Sequence, residues 1–226
     1  MNINTFYNMV NFVLNKTQTG NASPNRFNLA VDMANRSLFK RYEGISEVLD
    51  AGGSAMSYSE SERIEKVLEI FKEKVTLYIN SNGISAKPFD FVRDSAFTYI
   101  SQSGNTTSYS PVKICNDIEF QEAQYSYIVP ATKDNPVMRF VGNNMEFLPK
   151  NLINVEMVYL RMPNTPYWAY TMVNNRPVYD STNSVDIEFP DDIIDDITML
   201  VVQYFGVSIN KNETVAYTEQ FKMRGQ

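Results

Sequence analysis

Val137-Met138-Arg139-Phe140-Val141-Gly142-Asn143-Asn144-Met145-Glu146-Phe147-Leu148 is the stretch on which the fold class turns. Two short runs of apolar residues flank Gly142-Asn143-Asn144, and that arrangement predicts a β-hairpin with strands over 137–141 and 145–148. Everything well upstream of it has helical spacing, so the chain changes period along its length. Segregated helices and strands of this kind point to an α+β fold.

Downstream, 154–160 alternates Val155, Met157 and Tyr159 with Glu156, Val158 and Leu160, as a strand does. A second strand is expected over 167–173. The two are expected to pair across Arg161-Met162-Pro163-Asn164-Thr165-Pro166, whose prolines keep that connection out of a sheet interior. Pro190 then opens a helix with Asp191, Asp192, Asp195 and Asp196 in its first turns. Ile193, Ile197, Leu200, Val201 and Tyr204 form its apolar stripe, and Gly206 is expected to close it.

Upstream, Phe6, Met9, Val10, Val13 and Leu14 share one face of a first helix. A second starts at Pro24, capped by Ser23, with Phe27, Ala30, Val31, Ala34 and Leu38 inward. Gly44 and Ala51-Gly52-Gly53-Ser54 are expected in loops. A third helix follows the capping pattern Ser59…Glu62 and buries Ile64, Val67, Leu68, Phe71 and Val75. From Val75 the alternation Val75, Leu77, Ile79 predicts a strand ending at Asn82-Gly83. The stretch 89–100 fits either helix or strand, 101–110 reads as a polar loop, and 117–127 as a short helix. The expected organisation is one domain over 1–206, helical over 1–75, mixed and β-rich over 76–189, and helical again over 190–206. N-terminal helices pack with a small, mostly antiparallel sheet, and an extended arm occupies 207–226.

The composition excludes much chemistry. The 226 residues include no histidine, one cysteine and one tryptophan. Without histidine there is no Ser–His or Cys–His nucleophile, no histidine-held zinc or haem, and no imidazole proton shuttle. One cysteine allows neither an internal disulfide nor a multi-thiolate metal site. No phosphate-binding glycine loop, dinucleotide fingerprint or nucleophile elbow occurs. With 26 acidic against 20 basic residues the net charge is −6, the wrong sign for a dedicated nucleic-acid-binding domain. No apolar run is long enough to span a bilayer. The N-terminus lacks the basic start of a signal peptide, and with a lone thiol this points to synthesis in the cytosol.

Three features remain as candidates. The Asp191, Asp192, Asp195, Asp196 cluster has oxygens for a hard cation, although acids in a first helical turn are favoured by the helix dipole alone. The aromatic row Tyr159, Tyr167, Trp168, Tyr170 and Tyr179 suits sheet packing, a protein interface or a stacking platform for a ligand. The arm sets Val215, Tyr217 and Phe221 among polar residues, so it either folds back on its own core or docks on a neighbour. Cys115 has no base to activate it and reads as an inert, buried thiol. No catalytic, cofactor-binding or metal-binding residue is singled out, and no enzyme activity is expected. The candidate partner-docking residues are Val215, Tyr217 and Phe221 in the arm, with Arg161 and Trp168.

A resemblance adds to this. Pro130-Ala131-Thr132-Lys133-Asp134-Asn135-Pro136-Val137 is followed by Gly142-Asn143-Asn144-Met145-Glu146-Phe147-Leu148-Pro149. Val158-Tyr159-Leu160-Arg161-Met162-Pro163 comes next, then Tyr179-Asp180-Ser181 and Asp186-Ile187-Glu188-Phe189-Pro190-Asp191-Asp192-Ile193. That order resembles virion structural proteins of tailed phages of Bacteroidetes-type hosts, above all the ring or adaptor proteins of the head–tail connector in crAss-like podoviruses. The resemblance implies a virion protein of the neck or tail region, made in the cytoplasm of the host bacterium and lacking a cofactor. Its partners would be further copies of itself in a ring of about twelve, the portal protein and other tail proteins. DNA would pass through the channel without specific binding. A heterologous interface closes into such a ring when its rotation closes, an arm reaching the next copy raises effective concentration, and an acidic lining would not hold phosphates. The alternatives are another virion part, such as a tail-completion, baseplate or head-decoration protein, and a glycan hydrolase built on carboxylates.

Overall fold

The computed structural model describes residues 1–16, 20–50, 58–103, 106–128 and 130–208. They gather into two compact units, one formed by Met1–Ile70 with the chain from Pro163 onward, the other by Phe71–Met162. The α+β expectation holds: helices come first, small and mostly antiparallel sheets follow, and a helix closes the described chain.

The first unit is built on α1 (Ile3–Lys16), α2 (Pro24–Asp50), α3 (Tyr58–Glu69) and the late helix α5 (Ile194–Ser208). Ile3, Phe6, Val10 and Leu14 are buried along α1 at three- and four-residue spacing, and Phe27, Ala30, Val31, Ala34 and Leu38 along α2, as their periodicity requires. Ile64, Val67 and Leu68 line α3. Four boundaries differ from expectation. The second helix runs through Gly44 to Asp50. A glycine inside a helix costs about 1 kcal/mol relative to alanine, less than the packing on either side of it returns. The third helix ends at Glu69, so Val75 belongs to a strand. A 3-10 turn, Asp191–Ile193, precedes α5, whose buried face is Ile194, Ile197, Val201, Val202 and Phe205, leaving Leu200 and Tyr204 half-buried. Gly206 is buried within α5 and does not end it.

The second unit holds two sheets. One has the order β1-β8-β3-β4, all antiparallel, from β1 (Lys72–Tyr78), β3 (Phe91–Ser103), β4 (Thr106–Pro111) and β8 (Asn154–Arg161). The other has the order β2-β7-β6-β5, from β2 (Ile84–Ala86), β5 (Lys113–Ile114), β6 (Val137–Val141) and β7 (Asn144–Leu148), with β5 parallel to β6. Residues of both share a core of Leu77, Phe97, Tyr99, Val112, Met138, Met145, Phe147, Leu152, Val155, Met157 and Tyr159. Helix α4 (Asp117–Tyr125) starts with a full capping box between Asn116 and Glu119 and buries Phe120 beside Cys115, Val137 and Leu148.

The hairpin that opened the reading forms with a two-residue turn, Gly142-Asn143, because Asn144 pairs with Val141. Gly142 has φ 58°, the positive value a type II′ turn puts at its first central residue. Residues 101–110 are strand up to Ser103 and again from Thr106, where a loop was expected. Thr107 and Ser108 are exposed on the edge strand β4, so polarity did not exclude pairing.

Gly83 sits where a side chain has no room. Its φ is 80°, a Cβ there would lie 2.7 Å from the Phe147 carbonyl oxygen, and the Phe147 N–H donates to the Gly83 carbonyl at 2.8 Å. Backbone strain and backbone collision act together, so Gly83→Ala is expected to cost about 2–4 kcal/mol. Urea unfolding followed by circular dichroism would measure it, and a loss below about 0.5 kcal/mol would mean the turn relaxes freely.

Candidate docking surface

The strand expected over 167–173 does not pair with β8. Strand β8 is flanked on both sides by β1 and β3. The later segment makes its own hairpin from β9 (Tyr170–Val173) and β10 (Arg176–Tyr179), joined by Asn174-Asn175. Both asparagines have positive φ, 49° and 59°, the pattern of a type I′ turn, and asparagine tolerates that region better than other residues with a Cβ. The signal was present as Tyr170-Thr171-Met172-Val173 and Arg176-Pro177-Val178-Tyr179 around Asn-Asn. Sequence reading missed it because the second run contains Arg176 and Pro177.

Trp168 roots this hairpin. It is 3% exposed. Its ring stacks on Tyr7 at 4.3 Å, on Tyr170 at 5.7 Å and on Tyr179 at 5.8 Å, all within 26° of parallel. The indole N–H donates to Asn4 Oδ1 at 3.1 Å. Asn28 grips the backbone of the same residue: its Oδ1 accepts from the Trp168 N–H at 2.8 Å and its Nδ2 donates to the Trp168 carbonyl at 3.1 Å. The Tyr170 hydroxyl donates to Asn25 Oδ1, and the Tyr7 hydroxyl to the Ala22 carbonyl. An aromatic bracket with amide clamps therefore ties the hairpin to α1 and α2. Below it, Tyr167 and Val185 bridge, Asp180 N–H donates to the Ala169 carbonyl, and Asn183 and Thr182 donate to the Asp180 carboxylate. Those bonds hold the Asp180 carboxyl below its ordinary range, the Asn183 amide contributing most.

Beyond that root the hairpin is bare. Among the described residues β9 and β10 pair only with each other. Pairing puts Tyr170, Tyr179, Met172 and Pro177 on one face and Thr171, Val178, Val173 and Arg176 on the other. Met172 is 61% exposed, Val173 50% and Val178 47%. A lone two-stranded hairpin is at best marginal in water. Among the described residues this one has a clamped base, two unpaired edges and exposed apolar side chains on both faces.

The other candidate residues stand elsewhere. Arg161, at the end of β8, is in the second unit, ion-paired to Glu73 at 3.5 Å, over the Phe71 ring, and donating to the Met162 carbonyl. Trp168 belongs to the first unit. Val215, Tyr217 and Phe221 lie outside the described residues. The aspartates at the head of α5 are engaged by local groups: the Met1 amine is 3.5 Å from Asp191, Arg63 is 3.9 Å from Asp192, and the Tyr42 hydroxyl donates to Asp196. Burial, and then Asp196, push the Tyr42 phenol up. Among the described residues no group of three or more potential metal ligands gathers. Burial pushes the Cys115 thiol up. It lies on a cleft of about 730 Å³ with Lys113, Glu119, Glu122 and Asn135.

Tyr159 is strongly perturbed. Burial, with the nearby Asp90 carboxylate that its hydroxyl donates to at 3.1 Å, pushes the phenol up to about 12. The folded protein thus holds this proton more tightly than the unfolded chain, which releases it near pH 10. The contribution to stability is complete below pH 10 and is lost as pH rises towards 12. Tyr159→Phe is expected to cost about 1–2 kcal/mol at pH 8 through the lost hydrogen bond. The gap between the two proteins should narrow by pH 11.5 in urea titrations, and a gap independent of pH would contradict the assignment.

No protein-family model matches the sequence, and no curated protein is significantly similar to it. Among the described residues no helix is long and apolar enough to cross a membrane.

Proposed function

We propose that this chain is a structural subunit of a multi-copy assembly, a ring of the head–tail connector of a tailed bacteriophage that joins the portal to the tail around the DNA channel. The observation that carries the reading is the rooted, bare hairpin of β9 and β10. Its apolar tip has no counterpart within the chain's own described residues, and a second copy presenting a complementary surface would cover it. Such a contact joins two different surfaces, so it repeats from copy to copy and closes when its rotation closes. The order of short motifs from Pro130 to Ile193 supports the phage assignment. The net charge of −6 suits a channel through which DNA slides, since retention needs cations to displace phosphate counterions. Trp168, with its indole buried in the hairpin root, offers no open face to a sugar ring, which weighs against glycan binding.

Native mass spectrometry of the purified chain across a concentration series, with negative-stain images of any assembly, tests the proposal. A closed ring of about twelve copies is expected, alone or with portal protein added as a template. A chain that stays monomeric in both conditions would overturn it.

A further inference from the structure

The cleft of about 730 Å³ in the second unit has an apolar lining that includes Val112, Ala123, Pro130, Ala131, Pro136 and Val137. Backbone bonds fix its sides. The Ala131 N–H donates to the Ala123 carbonyl at 3.1 Å, which ties the stretch after α4 to α4 itself, and the Lys113 N–H donates to the Pro136 carbonyl at 3.0 Å. Pro130 and Pro136 also have φ locked by their rings. The cleft is therefore preformed, and filling it needs little further ordering. Two carboxylates line it. Glu119 is 3.7 Å from Lys113, whereas Glu122 is exposed and makes no ion pair among the described residues.

The bare hairpin has the complementary surface. One face of it carries Thr171, Val173, Arg176 and Val178, all exposed. Val173 and Val178 are diagonal neighbours. Arg176, cross-strand from Val173, makes no ion pair among the described residues. Thr171 to Val173 covers about 7 Å and the two strands lie about 5 Å apart. The cleft has the volume of a box about 9 Å on a side, so this face fits it. Its valines match the apolar lining, and the hairpin's one cation matches the unpaired carboxylate. Knob and hollow are different surfaces of one chain, so a contact between them repeats from copy to copy.

We propose that the cleft of one copy receives the β9–β10 hairpin of the next, with Val173 and Val178 against the apolar lining and Arg176 beside Glu122. The inference rests on the reading of the chain as a repeating subunit and names the surface that covers the hairpin.

Two full-length variants each disable one side of the contact. Val173→Asp with Val178→Asp removes the knob and keeps the cleft. Glu122→Arg with Ala131→Arg blocks the cleft and keeps the hairpin, and circular dichroism checks that each is folded. Alone, each is expected to be monomeric by native mass spectrometry at concentrations where the unchanged protein assembles. Mixed in equal amounts, they are expected to form a heterodimer that grows no further, because one intact knob and one intact hollow remain, on different chains. A mixture that stays monomeric, as it must if the hairpin enters its own chain's cleft, would overturn the proposal, and so would a cleft variant that assembles alone. A second measurement changes exposed positions only. Glu122→Arg and Arg176→Glu should each raise the concentration at half-assembly about tenfold, and the two together should return it to within about threefold of the unchanged protein. A double variant no better than the singles would overturn the pairing. Closed rings without the heterodimer would sink this contact alone. A heterodimer from a protein that otherwise makes open chains would sink the ring alone.

Discussion

Trp168→Ala is expected to destabilise the first unit by about 3–5 kcal/mol, the range for removing a large buried aromatic side chain. The indole is stacked against Tyr7, Tyr170 and Tyr179. Its N–H also satisfies Asn4. Trp168→Phe keeps an aromatic body in the stack and gives up that hydrogen bond, so its cost should be nearer 1–2 kcal/mol. Asn28→Ala removes both side-chain bonds to the Trp168 backbone and leaves buried peptide groups unpaired, a loss of about 1–3 kcal/mol. Urea unfolding by far-ultraviolet circular dichroism measures all three, since the chain's one tryptophan is itself being changed. A cost below about 1 kcal/mol for Trp168→Ala would show that the bracket is dispensable.

The bracket also explains which parts of this molecule its sequence makes legible. Helices were readable where one apolar stripe meets one core: Phe6, Val10 and Leu14, or Phe27, Val31, Ala34 and Leu38, fix both the element and its buried face. Their ends were less readable, because Gly44 and Gly206 carry a local preference of only about 1 kcal/mol, and both helices run through their glycine. The hairpin at Gly142 was readable because turn chemistry and flanking strands agree. Sheet partners were not. Strand β8 alternates Val155, Met157 and Tyr159 on its buried face with Glu156, Val158 and Leu160 on the other, and that pattern shows a strand without saying which strands flank it. Its neighbours β1 and β3 are distant in sequence, so the pairing rests on tertiary contacts that no local spacing encodes.

For the candidate site, Trp168 was visible as an aromatic among aromatics, and its own side chain is buried. The indole is spent on the root, while the exposed groups are Met172, Val173 and Val178 a few residues on. Asn174-Asn175 was the available sign of the hairpin. Arg161 likewise has its partners in Glu73 and Phe71, so a cation that looked free in the sequence is held in place by its own unit.

Val173→Asp with Val178→Asp is expected to abolish assembly while leaving the chain folded. Both side chains lie on one face of the hairpin and point to solvent, so in the isolated chain the exchange costs only strand preference, about 1 kcal/mol or less. Covered by a neighbouring copy, the same positions would place two carboxylates against an apolar surface, and burying a charge without a partner costs several kcal/mol. At about 1.4 kcal/mol per factor of ten, each contact should weaken by about three orders of magnitude, and a closed ring repeats that contact at every interface. Native mass spectrometry should then find monomers at concentrations where the unchanged protein forms rings, with superimposable circular dichroism spectra. Val173→Thr with Val178→Thr, which keeps side-chain shape and strand preference, should weaken assembly by only about tenfold. Rings that survive the aspartate pair would mean that copies meet elsewhere, and the exposed tip would then have to face the portal or the next tail component.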